Sequence, residues 1–118
     1  MYKFYWYAKC STCQKAKKWL DEKGVEYQTL DLITETPSAE EFEAWLTKSE
    51  LPVRRFFNTS GMKYREQNLK DKINDLTVSE ASRILSSDGM LVKRPLILKD
   101  HEFVINGFNE DRYEGAIK

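Results

Sequence analysis

The sequence predicts an α/β protein with a mixed four-stranded sheet that is interrupted by an inserted all-helical subdomain. In residues 2–32, a short apolar run, a helical pattern and an alternating segment follow one another. Two further short apolar runs come after residue 92. Between these groups, residues 36–89 carry helical periodicity and capping signals. The length of 118 residues suits one domain with one core.

The first half of the sheet is predicted from a strand–helix–strand unit. Residues 2–7 are rich in aromatic side chains and predict a buried strand. A helix is predicted to begin at Ser11 or Thr12 and to end before Gly24, which is a good terminator. Residues 25–32 alternate well enough to form a second strand. Two strands joined by a helix in this way are parallel, with a right-handed crossover.

Capping signals predict the helices of the insertion. Ser38 pairs with Glu41, and Thr77 pairs with Glu80, in the spacing of a capping box at the start of a helix. Pro52 is predicted to open a further, short helix.

The last third of the chain predicts a hairpin and a helix. Residues 93–98 and residues 103–105 are expected to pair antiparallel around a tight turn at Asp100 and His101. Asn109 is expected to cap a short final helix.

The order of these elements is βαβ, then a helical block, then ββα, which is a thioredoxin-like arrangement. We place the thioredoxin-like part at about residues 1–35 and 90–118 and the helical insertion at about 36–89. The whole chain is interpreted as a single domain of this kind.

Composition limits the partners that the chain can have. Nineteen basic and nineteen acidic residues cancel, so no overall field draws the protein to nucleic acid or to an anionic membrane. A local basic area, which is either a solvated face or a surface for a partner, contains Arg54, Arg55, Lys63 and Arg65. No stretch approaches the ~20 apolar residues of a membrane helix, and no signal peptide is visible. We therefore expect a cytoplasmic protein, and we also expect it to be a monomer.

Cys10 and Cys13 are the only cysteines and stand two residues apart. A structural disulfide is disfavoured in the cytosol and stabilises little across so short a loop. A zinc site needs four ligands, and only His101 remains to complete one within the chain, although a site shared by two chains stays open. Simple packing is a further alternative. The position of the pair between a strand and a helix favours a redox-active pair.

The helix start explains how such a pair would react. Free N–H groups and the positive end of the helix dipole would stabilise a thiolate on Cys10, and Lys9 adds a positive charge. Such positions lower the pKa of a cysteine from ~8.5 to ~3.5–7.5. Cys13 lies about one turn further on, where it would resolve a mixed disulfide or a sulfenic acid on Cys10.

Four segments, in this order, resemble the arsenate reductase (ArsC) family, and most closely its Spx/MgsR branch. The likeness runs over essentially the whole chain and implies the thioredoxin-like fold with an inserted helical domain. The segments are Cys10-Ser11-Thr12-Cys13, Thr36-Pro37-Ser38, Phe56-Phe57-Asn58-Thr59-Ser60-Gly61-Met62-Lys63-Tyr64-Arg65, and Ser87-Asp88-Gly89-Met90-Leu91-Val92-Lys93-Arg94-Pro95.

The resemblance also implies a set of site residues. Cys10 corresponds to the reactive cysteine of the family, and Arg94-Pro95 resembles the Arg-Pro pair that faces it, where the proline is usually cis. We assign catalysis to Cys10, Cys13 and Arg94. Substrate binding is assigned to Pro95, Ser11, Thr12 and Asn58, and no cofactor or metal is expected. Arsenate reductases of this fold use three arginines around the cysteine; here Asn58 and Gly107 stand where two of them are expected.

Three functions are compatible with this resemblance. The first is a thiol–disulfide oxidoreductase that is served by glutathione, glutaredoxin or the thioredoxin system. The second is a redox-sensing transcriptional regulator that binds the α subunit of RNA polymerase. The third is an arsenate reductase that depends on glutathione and glutaredoxin.

Overall fold

The computed structural model describes residues 1–117. The chain folds into two compact units. The first, here called the sheet unit, consists of residues 1–31 and the chain from Arg94 onward. The second, here called the helical unit, consists of residues 32–93. Across residues 1–117, every helix is too short or too polar to cross a bilayer.

The sheet unit is built on a mixed sheet with the strand order β2-β1-β3-β4. Strand β1 pairs parallel with β2 and antiparallel with β3, and β3 pairs antiparallel with β4. The α/β class and the mixed four-stranded, thioredoxin-like sheet predicted from the sequence are therefore confirmed. The strands are β1 (Tyr2–Trp6), β2 (Tyr27–Asp31), β3 (Leu96–Lys99) and β4 (Glu102–Asn106).

Aromatic side chains fill the core of the sheet unit. Phe4, in the central strand β1, is fully buried. Trp19 of helix α1 (Ser11–Glu22) contacts Tyr113 of the C-terminal helix edge to face, with 5.4 Å between the ring centroids. Such a ring pair contributes roughly 0.5–1.5 kcal/mol beyond its buried area. The buried face of α1 consists of Cys13, Ala16, Trp19 and Leu20.

The β3–β4 hairpin turns at Asp100 and His101, as predicted. Both residues have positive φ, at 51° and 67°, which is the backbone of a type I′ turn that matches the twist of the flanking strands. Strand β3 begins at Leu96 rather than at Lys93, because the N–H of Lys93 donates to the carbonyl oxygen of Phe56 at 2.8 Å within the helical unit.

Two capping boxes begin the longest helices of the helical unit, as predicted. Ser38 and Glu41 exchange side-chain and backbone hydrogen bonds at the start of one helix, and Thr77 and Glu80 do so at the start of the other. The two helices pack against each other. They are α2 (Ala39–Ser49) and α4 (Val78–Ser87).

Short helices fill the rest of the helical unit, and Phe57 forms an isolated bridge with Val92 beside them. Met62 is 69% exposed and so contributes little to packing, whereas Tyr64 two residues later is buried. The short elements are 3₁₀ turns at Val53–Phe56, Leu69–Asp71, Ile73–Asp75 and Gly89–Leu91, and helix α3 (Met62–Glu66).

The C-terminal helix, α5 (Glu110–Ala116), is capped by Asn109 as predicted and belongs to the sheet unit.

Gly89 lies where the chain after α4 passes close to the backbone of Leu32. A Cβ atom at residue 89 would lie 2.2 Å from the carbonyl oxygen of Leu32 and 2.9 Å from its carbonyl carbon. These are backbone atoms, which cannot rotate away as a flexible side chain can. The same Cβ added at Gly115, in α5, meets nothing within 4 Å.

Replacement of Gly89 by alanine is expected to lower the free energy of unfolding by ~1–3 kcal/mol, because the added methyl group forces the backbone apart. Gly115→Ala is the matched control. It adds the same methyl group to an exposed helical position and should raise stability by up to ~1 kcal/mol. Denaturant unfolding of both variants measures the difference. Equal stability of Gly89→Ala and the unaltered protein would contradict the close approach to Leu32.

Candidate active site

Cys10 lies at the N-cap of α1, just after the loop that leaves β1. Its backbone is extended, with φ −84° and ψ 121°, and its carbonyl oxygen accepts the first helical hydrogen bond from the N–H of Gln14 at 3.0 Å. The N–H groups of Ser11, Thr12 and Cys13 come before that bond, so the positive end of the helix lies beside Cys10. The first turn of α1 contains no acidic residue that would offset this charge.

The half-buried Cys10 thiol has a pKa that is lower than the ordinary value of a cysteine. Partial burial acts in the opposite direction and raises the pKa, because it disfavours the charged form. The Cys13 backbone N–H, the Arg94 side chain and the Cys13 thiol outweigh burial by donating towards the sulfur. The Cys13 N–H lowers the pKa of Cys10 although the Cys10 side chain forms no capping hydrogen bond at the start of α1. The net result is a sulfur that ionises more easily than that of a free cysteine.

The positive charge beside Cys10 comes from Arg94, and the pairing of the strands explains how it arrives there. Tyr5 in β1 pairs with Leu96 in β3. If this antiparallel register is continued two residues past Tyr5, Tyr7 lies opposite Arg94. The guanidinium of Arg94 lies over the Tyr7 ring, 5.3 Å from its centroid. Such a cation–π contact restrains the long arginine side chain.

Pro95 fixes the chain next to Arg94. The Arg94–Pro95 peptide bond is cis, as the family resemblance implied. Pro95 is buried, and its carbonyl oxygen accepts the N–H of Gly107 at 2.9 Å. Gly107 has φ +69°, a conformation that glycine adopts without strain, and its own carbonyl oxygen accepts the hydroxyl of the buried Tyr113 at 2.5 Å. The start of β3 is thus tied to the end of β4 and to α5.

Cys13 is fully buried on the inner face of α1. Burial is the main cause that raises its pKa to about 12, and the negative charge of the neighbouring Cys10 adds to the effect. A hydrogen bond from the backbone of Tyr7 and the charge of Arg94 lower it only in part. Both cysteines are free thiols in the structure. The pair is therefore asymmetric, with an accessible, acidic sulfur on Cys10 and a shielded, protonated one on Cys13.

Two residues that sequence reasoning did not assign to the site hold the loop between β1 and α1. The carbonyl oxygen of Tyr7 accepts the N–H of Cys10 at 2.9 Å, and the side-chain amide of Gln14 donates to the carbonyl oxygen of Ala8 at 2.8 Å. The sequence predicts Tyr7 only as part of the core strand. The signal for its role in the site is its position as the last aromatic residue before the cysteine loop.

The remaining predicted site residues have defined positions. Ser11 and Thr12 are exposed in the first turn of α1. Asn58 is half-buried in the helical unit, where its N–H donates to the carbonyl oxygen of Leu91 at 2.8 Å and its side-chain oxygen accepts the Ser60 hydroxyl at 3.3 Å. The substrate-binding roles of these residues stay predictions.

The expected contribution of Lys9 is not among the influences on the pKa of Cys10. Lys9 is exposed, and Arg94 supplies the positive charge instead. His101 lies in the β3–β4 turn. Among residues 1–117, no three His, Cys, Asp or Glu side chains are grouped so that they could hold a metal ion.

The fold and the cysteine pair together define a thioredoxin-like protein with a Cys-x-x-Cys site at the start of its first helix. Residues 5–116 match the sequence profile of the ArsC family. The chain belongs to the ArsC family, which confirms the resemblance found in the sequence.

Three relatives illustrate the likeness. The uncharacterised protein YusI of Bacillus subtilis (strain 168) is 53% identical over 111 residues, which cover 94% of this chain and 93% of YusI. The crystal structure of a possible arsenate reductase from Streptococcus mutans UA159 is 45% identical, with a TM-score of 0.90 and coverage of 94% of this chain and 96% of that one. The global transcriptional regulator Spx of Lactiplantibacillus plantarum is 30% identical over 86% of this chain and 75% of Spx. The identity to YusI is thus higher than that to Spx.

Alkylation with iodoacetamide should modify Cys10 in the folded protein and leave the buried Cys13 unmodified. The rate should rise with pH and reach half its maximum at a lower pH than that of a free cysteine in solution, because the folded state favours the thiolate of Cys10. Arg94→Gln should move this midpoint to higher pH. Lys18→Gln removes the same charge from an exposed position of α1 and should leave the midpoint unchanged. An identical midpoint in Arg94→Gln and the unaltered protein would show that Arg94 does not stabilise the thiolate.

Proposed function

We propose that this chain is a thiol–disulfide oxidoreductase in which Cys10 attacks and Cys13 resolves. The observation that carries the proposal is the asymmetry of the pair. Cys10 is accessible and has a lowered pKa, whereas Cys13 is buried, protonated and close enough to donate a hydrogen bond to the Cys10 sulfur. A packing role would need neither the difference in exposure nor the charge of Arg94.

The first step is the attack of the Cys10 thiolate on a disulfide of the substrate. A bond forms between the Cys10 sulfur and one substrate sulfur, the substrate disulfide breaks, and the second substrate sulfur leaves as a thiolate that takes a proton from solvent. Arg94 and the N–H groups at the start of α1 stabilise the thiolate before attack. Exposed Ser11 and Thr12 would form the surface on which the substrate lies, and the buried Pro95 would bind the substrate only through its backbone next to Arg94.

The second step is favoured by the loss of charge in the first. Burial is the main cause of the raised pKa of Cys13 and remains, but once Cys10 carries a mixed disulfide the negative charge that raises this pKa further is gone. As Cys13 attacks the Cys10 sulfur, the bond between Cys10 and the substrate sulfur breaks, and the departing substrate sulfur takes up, through solvent, the proton that Cys13 loses. The products are a Cys10–Cys13 disulfide and a substrate that has gained two electrons.

A thiol reductant must then return two electrons to the pair. We assign this role to glutathione, glutaredoxin or the thioredoxin system, because each performs thiol–disulfide exchange and none requires a cofactor bound to this chain. An arsenate reductase activity is less well supported. Arg94 is the arginine that acts on Cys10, while Gly107 has no side chain to bind an oxyanion, and the side chain of Asn58 carries no charge.

The disulfide chemistry is tested with the two single variants. A small disulfide added to the reduced protein should yield a Cys10–Cys13 bond, seen by mass spectrometry of peptides under non-reducing conditions. Cys13→Ser should instead accumulate a mixed disulfide on Cys10. Cys10→Ser should form neither the Cys10–Cys13 bond nor a mixed disulfide. Turnover in the presence of glutathione should fall by at least ~100-fold in Cys10→Ser, since the nucleophile is lost. A protein that forms no reversible Cys10–Cys13 bond would rule out the proposal.

A second candidate function is supported by the likeness to Spx. We propose as this alternative a redox-sensing regulator in which the same disulfide changes affinity for the α subunit of RNA polymerase. The regulator would bind a partner without turnover, so the two functions differ in catalysis rather than in the bond that forms.

Capture of lysate proteins on the immobilised chain, under reducing and oxidising conditions, separates these functions. The oxidoreductase predicts steady turnover of a disulfide with glutathione or the thioredoxin system and no redox-dependent capture of polymerase. The regulator predicts capture of polymerase in one redox state only, with no turnover. Arsenate added in place of the disulfide, with glutathione and glutaredoxin, should not be reduced, because Arg94 without further arginines at the positions of Asn58 and Gly107 binds the anion too weakly.

A further inference from the structure

A cavity of about 410 Å³ opens in the helical unit and plays no part in the cysteine chemistry described above. Its volume falls in the range of small-molecule sites, ~300–1,000 Å³. The described residues that line it all belong to the segment from the first 3₁₀ turn to the second. They are Arg54, Thr59, Tyr64, Arg65 and Lys70.

The lining of this cavity carries positive charge that the protein does not neutralise. Arg54, Arg65 and Lys70 are exposed, and none of their side chains forms an ion pair with any group in residues 1–117. By contrast, Lys63 nearby in the sequence pairs with Asp88 at 3.8 Å. Among residues 1–117, no carboxylate side chain lines the cavity. Three cations gathered around one concave surface, without a counter-charge, favour an anionic ligand.

Tyr64 provides a second, independent observation. Its side chain is only 4% exposed, and its ring packs against Phe57 with 6.3 Å between centroids. Its hydroxyl makes no hydrogen bond with the part of the chain that the structure describes. Within the same residues, no fully shielded side-chain oxygen lacks a partner, so this hydroxyl is accessible to solvent, and Tyr64 is one of the residues that line the cavity. A ring held this firmly presents its hydroxyl as a fixed donor at the wall of the cavity.

We propose that this cavity binds a phosphate-bearing small molecule. Two guanidinium groups and one ammonium group suit an anion with several charged oxygens better than a single carboxylate. The hydroxyls of Tyr64 and Thr59 add uncharged donors to the same oxygens. The cavity is larger than one inorganic phosphate needs, which points to a pyrophosphate or to an organic molecule that carries it.

Titration calorimetry near physiological salt, ~0.15 M, provides the test. The probes are inorganic phosphate, inorganic pyrophosphate and a nucleoside diphosphate. Saturable binding of one molecule of pyrophosphate or of the nucleoside diphosphate per chain is expected. Tighter binding of the nucleoside diphosphate would show that the organic part also occupies the cavity, and equal binding would assign the site to the phosphate groups alone; both outcomes support the proposal.

Three variants make the test specific. Tyr64→Phe removes one hydroxyl and keeps the ring, and Arg65→Gln removes one exposed charge; each should weaken binding roughly tenfold, as expected for a hydrogen bond to a charged group. Arg83→Gln removes the same charge from an exposed position of α4 that does not line the cavity, and should leave affinity unchanged. Absence of saturable binding to every probe, or an equal loss of affinity in all three variants, would overturn the proposal. Near-ultraviolet circular dichroism of each variant verifies that the fold is intact.

Discussion

The lowered pKa of the Cys10 sulfur is the feature on which the arrangement of the site depends. A thiolate at a half-buried position needs donors and positive charge around it, because burial alone would raise its pKa. Donors come from within α1, through the N–H and the thiol of Cys13. The charge comes from Arg94, which is 84 residues away in the chain. The sheet brings these two sources together.

The strand order accounts for that meeting. Because β1 and β3 are antiparallel neighbours, the end of β1 lies beside the start of β3. The cysteine loop leaves the first of these ends, and the Arg94–Pro95 segment enters the second. Tyr7 links them, since its backbone contacts Cys10 and Cys13 while its ring lies beneath the guanidinium of Arg94. A sheet with β1 and β3 separated by another strand could not form this site from the same motifs.

Local signals explain what the sequence could predict. The capping boxes, the glycine after α1, the turn at residues 100–101 and the helix start beside Cys10 each depend on residues within four positions of one another. The contacts of Tyr7 with Arg94 depend instead on strand register, which a single sequence does not specify. The same holds for Lys9, whose nearness in sequence suggested a charge that Arg94 provides. The resemblance to a family supplied Arg94 and the cis proline, which no local pattern predicts.

The asymmetry of the two cysteines follows from the geometry of α1. The N-cap residue lies at the edge of the helix, whereas the residue three positions later begins its buried face, together with Ala16 and Leu20. One sulfur is therefore accessible and the other shielded wherever a Cys-x-x-Cys pair begins an amphipathic helix on a sheet. Oxidation would convert this difference into a change of charge, since a Cys10–Cys13 disulfide carries none. Arg94, whose guanidinium lies over the Tyr7 ring, would then no longer have an anionic sulfur beside it, so the two redox states of the pair would differ in the net charge of the site.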